Sequence, residues 1–254
     1  SQFLSPDINQ RTDAWGGSLE NRARIHLEII KKCREEVGND FAISIKMNSA
    51  DFQKGGFSPE DSIQVAKLFS DSGIDNIEIS GGTYEQPRLL GLDKVSINPK
   101  RSENRKESTI AREAYFLSYA EEIAKVVNIP LMVTGGFRTK EGMEAALADG
   151  ACEIVGVGRP LCANPYAIKE LLAGQIDELP KYEKTLSIGP WWLSPTSPFR
   201  LIQAINAFSA QAWFYQQIKK MGKGLMPDLN LKPWKAFRED AKADQEAIKE
   251  YQNF

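Results

Sequence analysis

The chain has 254 residues, 42% of them hydrophobic, which is enough for a full core and about the size of one α/β barrel. Its 32 basic and 34 acidic residues leave a formal net charge of -2, without the basic excess that marks nucleic-acid binding. Apolar runs stay well short of the roughly 20 residues a membrane span needs, and the chain opens on the polar, loop-like SQFLSPDINQRTD rather than a secretion signal. The three cysteines, Cys33, Cys152 and Cys162, lack metal-type spacing and read as reduced core or near-core thiols of a cytoplasmic protein.

Residues 1–17 carry Pro, Asn, Asp and two glycines without apolar periodicity, and predict an ordered loop. Ser18 is the N-cap of a helix on which Leu19, Ala23, Leu27, Ile30 and Val37 recur at helical spacing up to Gly38. His26 lies on this helix as the single histidine, which excludes any mechanism needing two from this chain. Between Ile25 and Leu27 it reads as structural.

Phe41 to Asn48 alternates with period two, placing Ile43, Ile45 and Met47 on one face and Ser44, Lys46 and Asn48 on the other. In a barrel this points Lys46 inward, near the carboxyl end of the strand. A buried ammonium needs an anion, and two sources stay open: a bound ligand, or a buried carboxylate from another strand. Pro59 to Ser72 predicts a helix burying Ile63, Val65, Ala66 and Phe69 and capped by Gly73. Ile74 to Ile79 is the next strand, closed by Ser80-Gly81-Gly82-Thr83. The polar stretch from Tyr84 to Glu107 has no periodicity and reads as a functional insertion over the barrel mouth. Ala111 to Val127 predicts a helix.

The most informative stretch runs from Ile129 to Pro165, IPLMVTGGFRTKEGMEAALADGACEIVGVGRPLCANP. A β-rich run ends at Gly135-Gly136, a helix opens near Thr139 and closes on Gly150, and a second β-rich run, Glu153 to Val157, ends at Gly158-Arg159-Pro160. Two successive glycine turns at strand carboxyl ends expose backbone N–H groups, and Arg159 adds a donor fork suited to phosphate oxygens. In an eight-stranded barrel the loops after strands seven and eight commonly hold phosphate. The plainer alternative is that these glycines only make short turns.

Tyr166 to Ala173 predicts a short helix, and residues 175–197, with Trp191 and Trp192, read as loop. From about Pro198 to Met221 runs a long amphipathic helix on which Leu201, Ile205, Phe208, Ala212 and Tyr215 share a stripe. The stripe is expected to pack on the body of the protein, with a dimer interface as the alternative. Ala236 to Tyr251 is a charged, solvated helix.

Four strands emerge, about 41–48, 74–79, 130–134 and 153–157, whereas a closed barrel needs eight. The expected fold class is therefore α/β: the second half of a (β/α)8 TIM barrel over residues 1–175, with a helical extension over 176–254 packed on it. The open half would pair with a missing amino-terminal half or with another copy in a homo-oligomer.

The segment FLSPDINQRTDAWGGSLENRAR from Phe3 to Arg24, VTGGFRT at Val133–Thr139 and GVGRP at Gly156–Pro160 occur in the order seen in the old yellow enzyme family of NADH:flavin oxidoreductases, or ene-reductases, which this chain resembles over residues 1 to 173. The resemblance implies a (β/α)8 barrel that binds FMN noncovalently. Such enzymes take hydride from NADPH or NADH and deliver it to the activated C=C bond of an α,β-unsaturated carbonyl compound, a small-molecule enone. Carried over by position, Lys46 matches the basic residue beside the flavin N1/O2 edge, more often Arg, and on this reading the flavin supplies its anion. Gly135 and Gly136 match the first phosphate loop, Gly158 and Arg159 the second, and Phe137 lies close to the flavin. The family's His/His or His/Asn pair and its proton-donating Tyr match positions before Ser1, so no catalytic residue is assigned within the chain. The chain alone is expected to lack ene-reductase activity, and neither a metal, a membrane nor a nucleic acid is expected as partner.

Other readings stay open at this level. One is a different phosphate-binding barrel, either a lyase or isomerase using Lys46 as a Schiff-base amine or a relative of dihydroorotate dehydrogenase. Another is a noncatalytic half-barrel that holds a phosphorylated ligand.

Overall fold

The computed structural model describes residues 2–51, 54–81 and 116–252. The insertion expected at 84–107 and the first residues of the helix expected from Ala111 lie outside them. The chain divides into two compact units, the first ending at Val157 and the second running from Gly158. The sequence analysis draws its functional division after residue 175.

In the first unit, elements alternate as α1 (Leu19–Val37), β1 (Ser44–Asn48), α2 (Pro59–Ser70), β2 (Asn76–Ser80), α3 (Leu117–Ala124), β3 (Leu131–Thr134), α4 (Lys140–Ala148) and β4 (Ile154–Gly156). Local chemistry fixes the helix starts. Ser18, Ser58 and Thr139 stand in extended conformation and accept from Asn21 N, Asp61 N and Gly142 N, which satisfies one otherwise unpaired amide in each first turn. β1 begins later than the alternation from Phe41 predicts, because a side chain ties up its first residues. The Asp75 carboxylate accepts from Ile43 N at 2.7 Å and from Arg34 at 2.6 Å. These contacts, the Ile43 amide first and Arg34 next, hold the Asp75 carboxyl below the usual carboxylate range.

The four strands pair in chain order, all parallel. Lys46 stands opposite Glu78, Glu78 opposite Met132, and Met132 opposite Ile154. Because side chains alternate, Met47, Ile77, Ile79, Leu131 and Val133 fall on one face and pack with Ala23, Ile30, Val65, Ala66, Phe69, Ala120, Ile123 and Ala146 from the four helices. The other face carries Ser44, Lys46, Asn48, Asn76, Glu78, Ser80, Met132, Thr134, Ile154 and Gly156. Four parallel strands with helices on one face make half of a (β/α)8 barrel, as the alternation and glycine turns predict.

His26 lines a cavity of about 200 Å³ with Leu4, Ile45, Lys46, Met47, Asn48, Phe57 and Phe69, its ring centroid 5.7 Å from that of Phe69. Of the thiols, Cys152 is buried and Cys162 half-buried, but Cys33 sits exposed on α1, contrary to the sequence reading.

The second unit holds α5 (Arg159–Ala163), a short helix not foreseen from sequence, α6 (Ala167–Leu172), two 3-10 turns (Tyr182–Lys184 and Trp191–Leu193), α7 (Arg200–Met221) and α8 (Pro233–Gln252). Its core is Ala163, Leu186, Ala212, Trp213, Phe214 and Ala236. Trp213 is 1% exposed, meets Phe214 edge-on at 5.2 Å and donates from Nε1 to Leu231 O at 2.9 Å. The stripe expected to be buried on α7 is mostly outside: Leu201 is 72% exposed, with Phe208 and Tyr215 also exposed. The buried face carries Asn206, Ser209, Ala212, Trp213, Phe214 and Gln217. Two amides explain the rotation. Asn206 accepts from Ile188 N and donates to Leu193 O, while Gln217 accepts from Asp228 N and donates to Asp228 O, so both bond loop backbone that would otherwise go unsatisfied. Among the described residues no helix is long and apolar enough to cross a membrane.

Three outcomes follow from this packing. A Cβ at Gly156 would stand 1.8 Å from Thr134 Oγ1 and 2.7 Å from Met132 Cε, so Gly156→Ala destabilises the chain by about 1–3 kcal/mol, read as a lower urea midpoint. Trp213→Ala empties the second core and costs about 3–5 kcal/mol in the same measurement. Burial lowers the His26 pKa from its ordinary value of about 6.5, so the unfolded chain takes up this proton first. Stability is intact above pH ~6.5 and falls as pH drops through that value toward the depressed folded one. His26→Leu flattens that part of the pH profile of the melting temperature.

Candidate functional site

The carboxyl ends of the four strands form one rim of the first unit. After β1, Ser49 is fully buried and its amide donates to Ser80 O at 2.6 Å. Asp51 accepts from Asn48 Nδ2 at 3.2 Å and from Phe57 N at 3.0 Å, which folds the segment after β1 back on itself. After β3 the chain turns through Gly135 (φ 132°) and Gly136 (φ 88°), conformations that side chains other than glycine's rarely allow. This is the site at which the sequence reading placed a glycine turn, and it runs by way of Thr139 into the amino-terminal end of α4. Gly156 ends β4 with the Thr134 hydroxyl lying where its Cβ would be.

Two hydroxyls at this rim, Ser49 Oγ and Thr134 Oγ1, are buried without a hydrogen-bond partner. A buried hydroxyl without a partner is costly, and a polar ligand would relieve it. With the left-handed glycines and the polar face below them, this donor set fits a group such as FMN.

Lys46 stands on the open face of β1, its side chain 54% exposed. Of the two anion sources left open by its pattern, the structure supplies the carboxylate: Lys46 Nζ is 2.5 Å from Glu78 Oε1 on the adjacent strand, with the Glu78 side chain 19% exposed. Lys46 thus has a carboxylate partner on the neighbouring strand besides the flavin edge that the resemblance implies. Sequence reasoning did not single out Glu78. The signal was present, since Glu78 interrupts the apolar run between Ile77 and Ile79, but its rank opposite Lys46 depends on strand register, which a single sequence leaves open. Phe137 is 2% exposed and belongs to the helix-side core. Next to it Arg138 is also buried and donates from Nη1 to Phe137 O at 2.7 Å.

Gly158 and Arg159 belong to the second unit, where they open α5. Gly158 has φ -112° and ψ -84°, and a Cβ there would meet no atom within 4 Å. Arg159 Nη1 lies 3.8 Å from Glu183 Oε1 in the first 3-10 turn, with side chains 19% and 14% exposed. The guanidinium thus has a carboxylate beside it. On the same helix Cys162 Sγ faces Gly158 O at 3.7 Å, and burial pushes its thiol pKa up, away from the reactive thiolate.

The model of the NADH:flavin oxidoreductase / NADH oxidase family matches residues 1–178. The NADH-dependent flavin oxidoreductase iliE of Hypocrea jecorina is 40% identical over 176 residues, which are 67% of this chain and 41% of that protein. The NADH-dependent flavin oxidoreductase iccE of Talaromyces variabilis is 34% identical over 227 residues, 88% of this chain and 52% of that protein. The chain therefore spans about half the length, or less, of these curated relatives. Among solved structures, a 2-naphthoyl-CoA reductase bound to 2-naphthoyl-CoA matches with a TM-score of 0.58 and 32% identity over 70% of this chain and 25% of its own. An old yellow enzyme homologue from Zymomonas mobilis shares the fold, with a TM-score of 0.50 at 21% identity over 69% of this chain and 43% of its own. FMN is the cofactor that the family match supports. On the family match to residues 1–178, this chain belongs to the NADH:flavin oxidoreductase / NADH oxidase family, the family of the old yellow enzymes.

Proposed function

We propose that the chain supplies the FMN-binding half of an ene-reductase-type oxidoreductase acting on the activated C=C bond of α,β-unsaturated carbonyl compounds. The observation that carries this reading is the rim of the first unit: two left-handed glycines after β3, two buried hydroxyls without partners, and an ammonium on the open face. FMN, when bound, supplies the two-electron carrier between the nicotinamide reductant and the alkene. The chain's own residues bind and orient it. The Lys46 ammonium faces the N1/O2 edge and favours the negative charge that reduction brings there. In the first unit the amides of Gly135 and Gly136 are donors suited to a phosphate, with Phe137 backing that loop from the core, and in the second unit the Gly158 amide and the Arg159 guanidinium, beside Glu183, are donors of the same kind. In this reading residues 1–175 form the cofactor-binding part and 176–254 the helical extension. The groups that hold the substrate carbonyl and donate the proton come from outside the chain, either from the other half of the barrel or from a second copy.

Two measurements test the reading. Titration of the purified chain followed by flavin fluorescence is expected to show FMN binding at least about tenfold tighter than riboflavin, since a phosphate held by charge-assisted bonds is worth about 1.5–3 kcal/mol. Arg159→Ala narrows that gap, whereas equal affinity for FMN and riboflavin refutes the phosphate assignment. With FMN supplied, the chain alone gives no alkene-dependent oxidation of NADPH or NADH, and turnover at the rate of an intact family member refutes the assignment of the missing catalytic groups.

A further inference from the structure

Glu78 is a charged residue on the open face of the sheet that the proposed reading leaves without a task. Along its row the neighbours are Lys46 on β1, Met132 on β3 and, beyond it, Ile154 on β4. The row toward the amino end of the strands is already satisfied: Ser44 Oγ donates to Asn76 Oδ1 at 2.8 Å, and Asn76 Nδ2 donates to Pro130 O at 3.0 Å. The carboxylate stands between Lys46 and the apolar Met132, has one ionic partner in its row, and lies 2.5 Å from that partner's nitrogen. The exposures are unequal, with the Glu78 side chain 19% exposed and that of Lys46 54%. The carboxylate is therefore the seated member of the pair, and the ammonium reaches out from it toward the open face.

From this geometry we propose that Glu78 is a positioning residue for Lys46 that also tunes the flavin. It anchors the ammonium on the open face and offsets its charge, so that the group presented to the flavin is a neutral ion pair rather than a free cation. The inference rests on the reading of Lys46 given above and adds a sign to it. A free cation at the N1/O2 edge favours the reduced, negatively charged flavin over the oxidised one, and a carboxylate against that cation takes part of the preference away. Glu78 thus holds the flavin at a lower potential than Lys46 alone would set, which makes the reduced cofactor a better hydride donor. A unit charge a few ångström away in partly exposed surroundings is worth about tenfold in an equilibrium constant.

The test uses the full chain with FMN, and reads affinity for oxidised and reduced FMN by anaerobic fluorescence titration together with the two-electron potential of the bound flavin. Glu78→Gln is expected to raise the ratio of reduced-state to oxidised-state affinity about tenfold, an upward shift of about 30 mV for a two-electron couple. Glu78→Asp, which keeps the charge, stays near the wild-type potential, a result that a purely structural role does not produce. Lys46→Met lowers the ratio. An unchanged ratio in Glu78→Gln, with a lowered one in Lys46→Met, overturns this inference and leaves the reading of Lys46 standing. Unchanged binding of both oxidation states by Lys46→Met, or no FMN binding by the wild-type chain, overturns the reading of Lys46 and this inference with it.

Discussion

The structure of the first unit depends on one constraint: the same four parallel strands must seal an apolar core on one face and present polar groups on the other. Parallel strands covered on both faces usually read as unbroken apolar runs. Here they alternate, and the alternation is strongest in β1 and β2, where Ile45, Met47, Ile77 and Ile79 face the helices while Ser44, Lys46, Asn48, Asn76, Glu78 and Ser80 face away. A face carrying an ammonium, a carboxylate and two amides is costly to dry out. It satisfies itself laterally, through Ser44 to Asn76 and Lys46 to Glu78, and so the strand register becomes part of the chemistry. In β3 and β4 the same face is apolar or small at Met132, Ile154 and Gly156, and its polar member is Thr134 at the carboxyl end of β3, next to the turn through Gly135 and Gly136.

What the sequence makes legible follows from the range of each interaction. Helix starts were readable because a cap is settled within three residues: Ser18, Pro59 and Thr139 mark the openings of α1, α2 and α4 almost to the residue. Strand identities were readable from alternation, and their parallel order from the βα rhythm. Lateral facts were not readable. Asp75 bonds Ile43 N and thereby delays β1, and Glu78 lies opposite Lys46. Each joins residues 32 apart in the chain through a register that one sequence does not encode locally.

α7 shows the other limit. Hydrophobic periodicity orients a helix only where burial is driven by apolar area. On α7 the inward face is chosen by Trp213 and Phe214 together with Asn206 and Gln217, whose amides close the loops around Ile188, Leu193 and Asp228. An unpaired buried backbone group costs as much as a methylene or two of apolar burial gains, so two bifunctional amides can outvote Leu201, Phe208 and Tyr215. A pattern count that scores Asn and Gln as outward residues turns this helix the wrong way.

The glycines separate by the same kind of reasoning, and the separation bears on the site. Gly135 and Gly136 are required by conformation, their φ angles lying in the left-handed half of the map. Gly156 is required by packing, since the Thr134 hydroxyl lies where its Cβ would be. Gly158 answers to neither requirement: its φ is negative, and the space a Cβ would fill is open. It is the N-cap of α5, a position that glycine takes readily. Gly158 stands directly before Arg159, whose guanidinium is braced by Glu183. Bare backbone beside a braced cation suits an anion. Of the four glycines, Gly158 is therefore the one that neither a positive φ nor a close contact fixes, and its place at the start of α5 leaves its backbone open beside Arg159.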